Sequence, residues 1–215
     1  MWPDERILDY CDRYSFELPD YLNQLERETG LSTVNPFMSC GPVMGRFLIQ
    51  LSTWLKPKSI LEIGSFTGYS ALCLAQGLDE EGRITCIEVN EEYEEVIRKY
   101  FHLADKSRQL DLVIGDARSR LQDLHGPFDL VWIDANKQFN EELYESVLPL
   151  LSRAGTILVD NVLWYGNVLD SRPDRETRAI QAFNEKIKSD PRVKAMILPL
   201  RDGITIIQKV SLAAS

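Results

Sequence analysis

Along the first 55 residues, apolar positions recur at the three- and four-residue spacing of amphipathic helices. One set lies at residues 7–11 and a second at residues 21–25, where Gly30 is the expected end of the helix. A third helix is predicted over residues 42–55. The N-terminal part of the chain, residues 1–55, is therefore predicted to be a helical segment.

After Pro57 the pattern changes to short apolar runs separated by longer amphipathic stretches. The runs are SILEI, RITCIEV, LDLVIG, FDLVWID and GTILVD. Such runs are typical of strands buried on both faces of a parallel sheet, with helices on either side. Two further runs, VKAMILPL and GITIIQKV, flank Asp202-Gly203, a dipeptide that favours a hairpin. We therefore predict seven strands in a mostly parallel sheet whose last strand is antiparallel.

The length and composition fit one domain rather than two. The chain has 215 residues, 44% of them hydrophobic, which is enough for one well-packed core. We therefore predict a single domain over residues 1–215, with the sheet-forming core over residues 58–210. This sheet is expected to close its own core, which would leave the N-terminal helices available for oligomerisation.

Charge and residue usage exclude several classes of function. A net charge of −9 repels phosphate, which disfavours broad binding to nucleic acid or anionic membranes. No apolar run approaches the roughly 20 residues that span a bilayer, and the polar, charged N-terminus is not expected to be a signal peptide. The four scattered cysteines are typical of reduced thiols in a cytoplasmic protein. With only two histidines, a bound metal is expected to have oxygen ligands.

Small and acidic residues follow the first two predicted strands, at the edge where sheets of this kind bind ligands. The first strand is followed by Gly64 and Gly68, and the second ends at Glu88. Glycines between a strand and a helix usually permit a close approach of the backbone to another group. An acidic side chain at the end of the second strand is placed to accept hydrogen bonds from ribose hydroxyls. Together they predict a ligand that contains adenosine.

The glycine loop alone leaves other interpretations open. It lacks the Gly-Lys-Ser/Thr of phosphate loops and the Gly-x-Gly-x-x-Gly of dinucleotide sites, which disfavours a nucleotide triphosphate and a nicotinamide oxidoreductase. Residues 68–72 differ from the hydrolase nucleophile elbow at Leu72, where that motif has glycine. A tight turn with no ligand role is the simplest alternative.

Polar residues also follow the fourth and fifth predicted strands. Asp134 ends the fourth, and Asp160-Asn161 ends the fifth. Two carboxylates and an amide oxygen suit a hard divalent cation. Lys137 lies three residues past Asp134, and a dication and a dry pocket would both disfavour its ammonium form, so that it could take up a proton. Each feature also has a simpler interpretation, since Asp160-Asn161 is a common turn sequence and a lysine is more often solvated.

Four segments carry a resemblance to a known family: LEIGSFTGYSAL, GRITCIEVN, FDLVWIDANK and DNVLWYGNV. Together they resemble the cation-dependent O-methyltransferases, which include caffeoyl-CoA and catechol O-methyltransferases, and the bacterial members most closely. The likeness runs from about Met38 to Lys209. It implies the Rossmann-like class I fold of S-adenosylmethionine-dependent methyltransferases: an α/β fold whose seven-stranded, mostly parallel sheet has an antiparallel last strand and helices on both faces.

The resemblance also implies the reaction and its participants. The expected cofactors are S-adenosylmethionine and a divalent cation, with Mg²⁺ ahead of Mn²⁺ or Ca²⁺. The expected acceptor is a hydroxyl of a small catechol-type or other hydroxylated aromatic molecule, and a homodimer is expected. Asp134, Asp160 and Asn161 match the family's metal ligands. Lys137, beside Asp134, matches the lysine that acts as a base near the substrate hydroxyl, and Trp164 matches an aromatic residue beside the acceptor.

The cofactor contacts carry over in the same way. Asn136 and Cys40 depart from the commonest residues of the family, and Asn136 puts the usual contacts to a larger acceptor in doubt. The positions that match S-adenosylmethionine contacts are Met38, Cys40, Glu62, Gly64, Ser70, Glu88, Asp116, Ala117, Arg118 and Asp134.

Two further functions remain open at this stage. A tRNA methyltransferase of the same family, acting on a hydroxylated wobble uridine, would carry the same motifs, and a basic patch at Arg172, Arg175 and Arg178 would favour it. The net charge of −9 argues against it. A module that binds the cofactor without catalysis is disfavoured by the intact set of acidic residues and Lys137.

Overall fold

The predicted strands pair into one seven-stranded sheet in the computed structural model, which describes residues 5–210. Their order across the sheet is β3-β2-β1-β4-β5-β7-β6. The strands span Ser59–Ile63 (β1), Arg83–Glu88 (β2), Leu110–Ile114 (β3), Phe128–Ile133 (β4), Leu151–Asp160 (β5), Val193–Leu198 (β6) and Ile204–Lys209 (β7).

The directions of the strands confirm the prediction. The first five strands pair in parallel, whereas β7 runs antiparallel to both β5 and β6. The β6–β7 connection is tight because Arg201 and Gly203 both adopt positive φ, at 48° and 85°. The Asp-Gly signal thus corresponds to a hairpin at one edge of the sheet.

Helices cover both faces of the sheet. One core cluster packs α2, α3, α4 and α5 against one face, and a second packs α7 and α8, with the turn after α6, against the other. The helices span Glu5–Arg13 (α1), Asp20–Ser32 (α2), Gly41–Leu55 (α3), Tyr69–Leu74 (α4), Glu94–Leu103 (α5), Ala117–Arg120 (α6), Asn140–Val147 (α7) and Arg175–Ser189 (α8).

The N-terminal helices belong to the core, and this corrects the expectation that the sheet closes its core without them. Leu22 and Leu25 of α2 are fully buried, as are Met44 and Leu48 of α3. All four lie in the cluster that covers the first face of the sheet. The sequence pattern gave the helices but not their partner, because an apolar stripe does not specify what will cover it.

The end of one of these helices differs from the sequence prediction. Helix α2 continues through Gly30 and ends at Ser32, where both the amide and the Oγ1 of Thr33 donate to the Thr29 carbonyl. Helix α1 keeps apolar side chains at the surface, with Ile7 55% exposed. Across residues 5–210, no helix is both long and apolar enough to cross a membrane.

The topology determines where a ligand can bind. Strand β1 lies between β2 and β4, so the chain leaves β1 in one direction across the sheet and later returns on its other side. The carboxyl ends of β1 and β4 therefore form the switch point of an open α/β sheet, which is the usual ligand position.

Candidate active site

A cavity of about 1180 Å³ opens beyond the carboxyl ends of β1 to β5. It exceeds the roughly 300–1,000 Å³ of a pocket for one drug-sized ligand, so it has room for two small molecules side by side. Most of the predicted site residues line it, namely Met38, Cys40, Gly64, Glu88, Asp116, Ala117, Arg118, Asp134, Lys137, Asp160, Asn161 and Trp164.

The glycine loop packs closely against another part of the backbone, at the residues that follow β4. A Cβ atom on Gly64 would lie 2.2 Å from the carbonyl oxygen of Asp134, a distance that no side chain permits. Gly64 and Gly68 both have a φ of 88°, in the region that favours glycine. Packing against the end of β4 therefore explains the glycine at 64, whatever ligand the cavity holds.

Glu88 lies at the end of β2 and is 6% exposed. One oxygen accepts a hydrogen bond from the Phe66 amide at 2.7 Å and the other from the Asn90 amide at 2.9 Å. Burial raises the pKa of this carboxyl, and the backbone amides oppose that rise. The side chain thus fixes the shape of the glycine loop and still reaches the cavity wall, where each oxygen has a further lone pair.

The next rim element is built on Asp116, which caps α6 by accepting from the Arg118 amide at 2.9 Å. The guanidinium of Arg118 binds the same carboxylate, with its terminal nitrogen 2.5 Å from Oδ2, and lowers the pKa of Asp116. The guanidinium also lies 4.0 Å from the centre of the Phe139 ring. A flat, partly apolar surface results, which suits a planar heterocycle such as adenine.

The acidic end of the cavity contains the predicted metal and base residues. Lys137 is 8% exposed, and its Nζ lies 2.6 Å from Oδ1 of Asp134. Asp160 is 4% exposed, and burial together with the charge of Asp134 raises its pKa to about 7. Asn161 follows with a left-handed φ of 59°. Residues from the ends of β4 and β5 therefore meet, as the sequence predicted.

The donor set at this end fits a divalent cation held by oxygen atoms. Asp134 and Asp160 are close enough for their charges to interact, and a dication between them would relieve the repulsion that raises the Asp160 pKa. Asn161, next to Asp160 in the chain, lines the same cavity and offers an amide oxygen. Within residues 5–210, no three His, Cys, Asp or Glu side chains converge on one point. The set is therefore two carboxylates and an amide, which suits Mg²⁺ better than zinc.

Two of the predicted cofactor residues do not line the cavity. Glu62 is fully buried behind the glycine loop, where Oε2 accepts a weak bond from the Cys86 thiol at 3.6 Å. Its Oε1 has no hydrogen-bond partner among the described residues. Burial raises the Glu62 pKa to about 7, and the Ser70 and Ser65 hydroxyls oppose that rise. Glu62 and Ser70 thus lie together beneath the loop, and their contact with a cofactor stays a prediction.

The N-terminal segment forms the opposite wall. Met38 is 53% exposed and Cys40 is buried, and both line the cavity. Between them, the Ser39 hydroxyl donates to Glu26 of α2 at 2.5 Å, and the Ser39 carbonyl accepts from Arg201 at 3.4 Å. This wall is therefore held by both the N-terminal helices and the β6–β7 hairpin.

Sequence reasoning missed part of the site. Arg201 and Asp202 were assigned only to a turn, yet both line the cavity, and Phe66 and Phe139 do as well. The Asp-Gly dipeptide carried a local signal for a hairpin but none for the partner of the turn. That partner is the Trp164 loop, because the Tyr165 amide donates to the Asp202 carboxylate at 2.6 Å.

Comparisons with known proteins cover nearly the whole chain. A family model described as O-methyltransferase matches residues 12–210. The chain is 34% identical over 212 residues to a probable caffeoyl-CoA O-methyltransferase 2 of Dictyostelium discoideum, covering 95% of this chain and 92% of that protein. It is 36% identical over 171 residues to a catechol O-methyltransferase domain-containing protein 1 of Mus musculus, covering 77% and 65%.

Solved structures agree over the same length. The SAH-bound methyltransferase PaMTH1 of Podospora anserina superposes with a TM-score of 0.90 at 28% identity, covering 98% of this chain and 99% of that chain. An O-methyltransferase of Bacillus cereus in complex with SAH superposes with a TM-score of 0.87 at 28% identity, covering 94% and 96%. The similarity thus includes the sheet, both helical layers and the rim of the cavity.

Proposed function

The chain belongs to the O-methyltransferase family, and on that premise we propose that it transfers a methyl group from S-adenosylmethionine to a hydroxyl of a small catechol-type or other hydroxylated aromatic acceptor, assisted by a divalent cation. The fold is the α/β methyltransferase fold, as the sequence predicted. Its homologues and structural neighbours are S-adenosylmethionine-dependent O-methyltransferases, and the chain is an enzyme of that class.

One observation carries the finer part of the proposal. A single cavity joins an end suited to adenosine, at Glu88 and Asp116, to an acidic end with Asp134, Asp160 and a buried lysine. Its volume of about 1180 Å³ suits a methyl donor and an acceptor held side by side. Holding two reactants in line can supply a large part of the rate acceleration in a transfer reaction.

The proposed cofactor contacts follow the geometry of the rim. Glu88 would accept hydrogen bonds from the ribose hydroxyls, while Asp116, Ala117 and Arg118 would contact the adenine. Met38 and Cys40 would close over the cofactor from the N-terminal wall. Gly64 would lie against its methionine part, with Glu62 and Ser70 supporting the loop from behind.

Asp134, Asp160 and Asn161 would hold the divalent cation. When bound, the cation would lower the pKa of the acceptor hydroxyl and fix its direction. Side chains of the protein would accept the proton and orient the acceptor. Lys137, whose Nζ lies 2.6 Å from Oδ1 of Asp134, would take up the hydroxyl proton as a neutral amine and become an ammonium. Trp164 would pack against the acceptor ring, whose oxygen attacks the methyl carbon in line with the departing sulfur.

We also propose that the acceptor is a small molecule and that the protein is cytoplasmic. An acidic chain of net charge −9, with six acidic residues among those that line the cavity, favours a small molecule over tRNA. Four free thiols, all within the described residues, favour the cytoplasm.

The test is transfer of labelled methyl groups to catechols, catechol-bearing CoA esters and undermodified tRNA. We expect transfer to a catechol-type acceptor, loss of transfer after exhaustive EDTA treatment, and recovery when Mg²⁺ is returned. Asp160→Ala should abolish transfer but leave SAH binding intact in calorimetry, whereas Asp170→Ala, outside the cavity, should leave both transfer and SAH binding unchanged. Equal rates with and without EDTA would refute the role of the metal, and transfer to tRNA alone would identify the alternative acceptor.

Lys137→Ala separates the base from the metal site. Because the three oxygen ligands remain, we expect transfer to fall by roughly 10²–10⁴-fold and to recover in part at higher pH, where the acceptor loses its proton without help. A loss that is the same at every pH would contradict the assignment of Lys137 as a base.

A further inference from the structure

The loop that carries Trp164 has an unfavourable backbone conformation. Asn161, Trp164 and Tyr165 all have left-handed φ values, of 59°, 47° and 54°. A residue with a Cβ atom rarely adopts this region, and it persists only where surrounding contacts hold it. The loop at residues 161–166 therefore depends on whatever packs against it.

The turn between β6 and β7 supplies those contacts. The Val162 amide donates to the Gly203 carbonyl at 3.2 Å, and the Leu163 amide donates to the Asp202 carbonyl at 2.9 Å. The Tyr165 amide donates to Oδ1 of Asp202 at 2.6 Å. Only the last of these bonds depends on the identity of a side chain.

Two residues of the β6–β7 turn, Asp202 and Gly203, have features that the contact with the loop at residues 161–166 explains. A Cβ atom on Gly203 would lie 2.4 Å from Cγ of Leu163, so glycine lets the two segments approach. Asp202 is 4% exposed, and its Oδ2 has no hydrogen-bond partner among the described residues. A buried carboxylate with one oxygen unpaired is costly, and a turn alone does not require it. The bond to the Tyr165 amide is the contact that the residue makes across the site.

We propose that Asp202 is a positioning residue for the acceptor. It holds the Tyr165 amide and so keeps the neighbouring Trp164, whose ring lies 5.7 Å from the Tyr165 ring, in the wall of the cavity. This inference rests on the proposed function, in which the acceptor binds beside Trp164. Asp202 acts through the loop and takes no part in the transfer of the methyl group.

Amide hydrogen exchange tests the structural step on the full-length protein without any acceptor. In Asp202→Ala we expect the Tyr165 amide to exchange about tenfold to a hundredfold faster, as a charged hydrogen bond is lost. Asp202→Asn retains an oxygen acceptor and should exchange as the wild type does. Asp129→Ala is the matched control, because that carboxylate binds the Lys58 and Ser59 amides away from the cavity.

Kinetics test the consequence for the acceptor. Asp202→Ala should lower kcat/KM for a catechol acceptor by about tenfold or more, mainly through KM, with unchanged affinity for SAH. Asp202→Asn and Asp129→Ala should both retain the wild-type value. A purely structural role would instead lower the melting temperature and the SAH affinity together.

These experiments distinguish a failure of the Asp202 inference from a failure of the proposed function. Unchanged exchange of the Tyr165 amide in Asp202→Ala, or equal loss in Asp202→Asn, would overturn this inference and leave the proposed function intact. So would unchanged acceptor kinetics in a variant whose loop exchanges faster. If the wild type transfers methyl groups to no catechol, the proposed function fails, and the positioning role fails with it.

Discussion

At the scale of one residue, Glu62 has an environment that its sequence motif does not reveal. From the sequence it is the acidic residue before a glycine loop, and the resemblance gives it a contact with the cofactor. In the structure it is fully buried, with one oxygen unpaired. Burial raises its pKa to about 7, so near neutral pH the protein carries a carboxyl that resists ionisation.

This pKa predicts how stability depends on pH. The value is raised above that of the unfolded chain, so stability is fully present below about pH 4.5 and is lost as pH rises through 7. Glu62→Gln does not titrate in this range. We therefore expect the wild type to lose about 2–3 kcal/mol of unfolding free energy relative to Glu62→Gln between pH 4.5 and 8.

Urea denaturation of both proteins at the two pH values measures this difference. Glu91→Gln replaces an exposed glutamate and is the control, expected to stay within about 0.5 kcal/mol of the wild type at both values. A Glu62→Gln difference that does not change with pH would contradict the buried, raised carboxyl.

At the scale of an element, helix α2 tests the corrected role of the N-terminal segment. Leu25 is fully buried in the core cluster that covers the first face of the sheet, whereas Leu31, on the same helix, is 81% exposed. Leu25→Ala should therefore cost about 2–5 kcal/mol of unfolding free energy, because it leaves a cavity in the core. Leu31→Ala should change that free energy by less than about 0.5 kcal/mol.

Denaturation with urea compares the two variants directly. Equal effects would mean that α2 does not cover the core. The same packing has a practical consequence: removing residues 1–30 would take Leu22 and Leu25 out of the core, so such a deletion tests folding rather than oligomerisation.

At the scale of the whole molecule, the exposed face of α1 supports the predicted homodimer. Ile7, Tyr10 and the following Tyr14 are 55%, 59% and 73% exposed, and the two tyrosine rings stack at 4.4 Å. Neighbouring apolar side chains at a surface are typical of a protein–protein contact. We expect light scattering to give twice the chain mass of 24.6 kDa.

Substitution in that face should separate the subunits. Ile7→Glu with Tyr14→Glu is expected to give the mass of one chain, while Trp54→Glu, at a 70% exposed position of α3, should keep the dimer. A wild type that already has the mass of one chain would refute the homodimer, and a double variant that stays dimeric would place the contact elsewhere.

The sequence by itself determined the kinds of element and the edge at which the site lies. Strand runs, helical stripes and the Asp202-Gly203 turn are local signals, and local physics decides them. Because parallel strands bring their carboxyl ends to one edge, the positions of Glu88, Asp134 and Asp160 followed as soon as the strands were assigned. The structure agrees, since all three line one cavity.

Only the tertiary structure decided what those elements touch. It showed that Gly64 must lack a side chain because the backbone just after β4 lies against it, that Glu62 lies behind the loop, and that α2 completes the core. It also joined Asp202 to Tyr165, which lie 37 residues apart along the chain. A local pattern records which face of an element is apolar and where its backbone turns. It holds no information about which distant segment will satisfy that face or that turn, so such contacts appear only when the chain is folded.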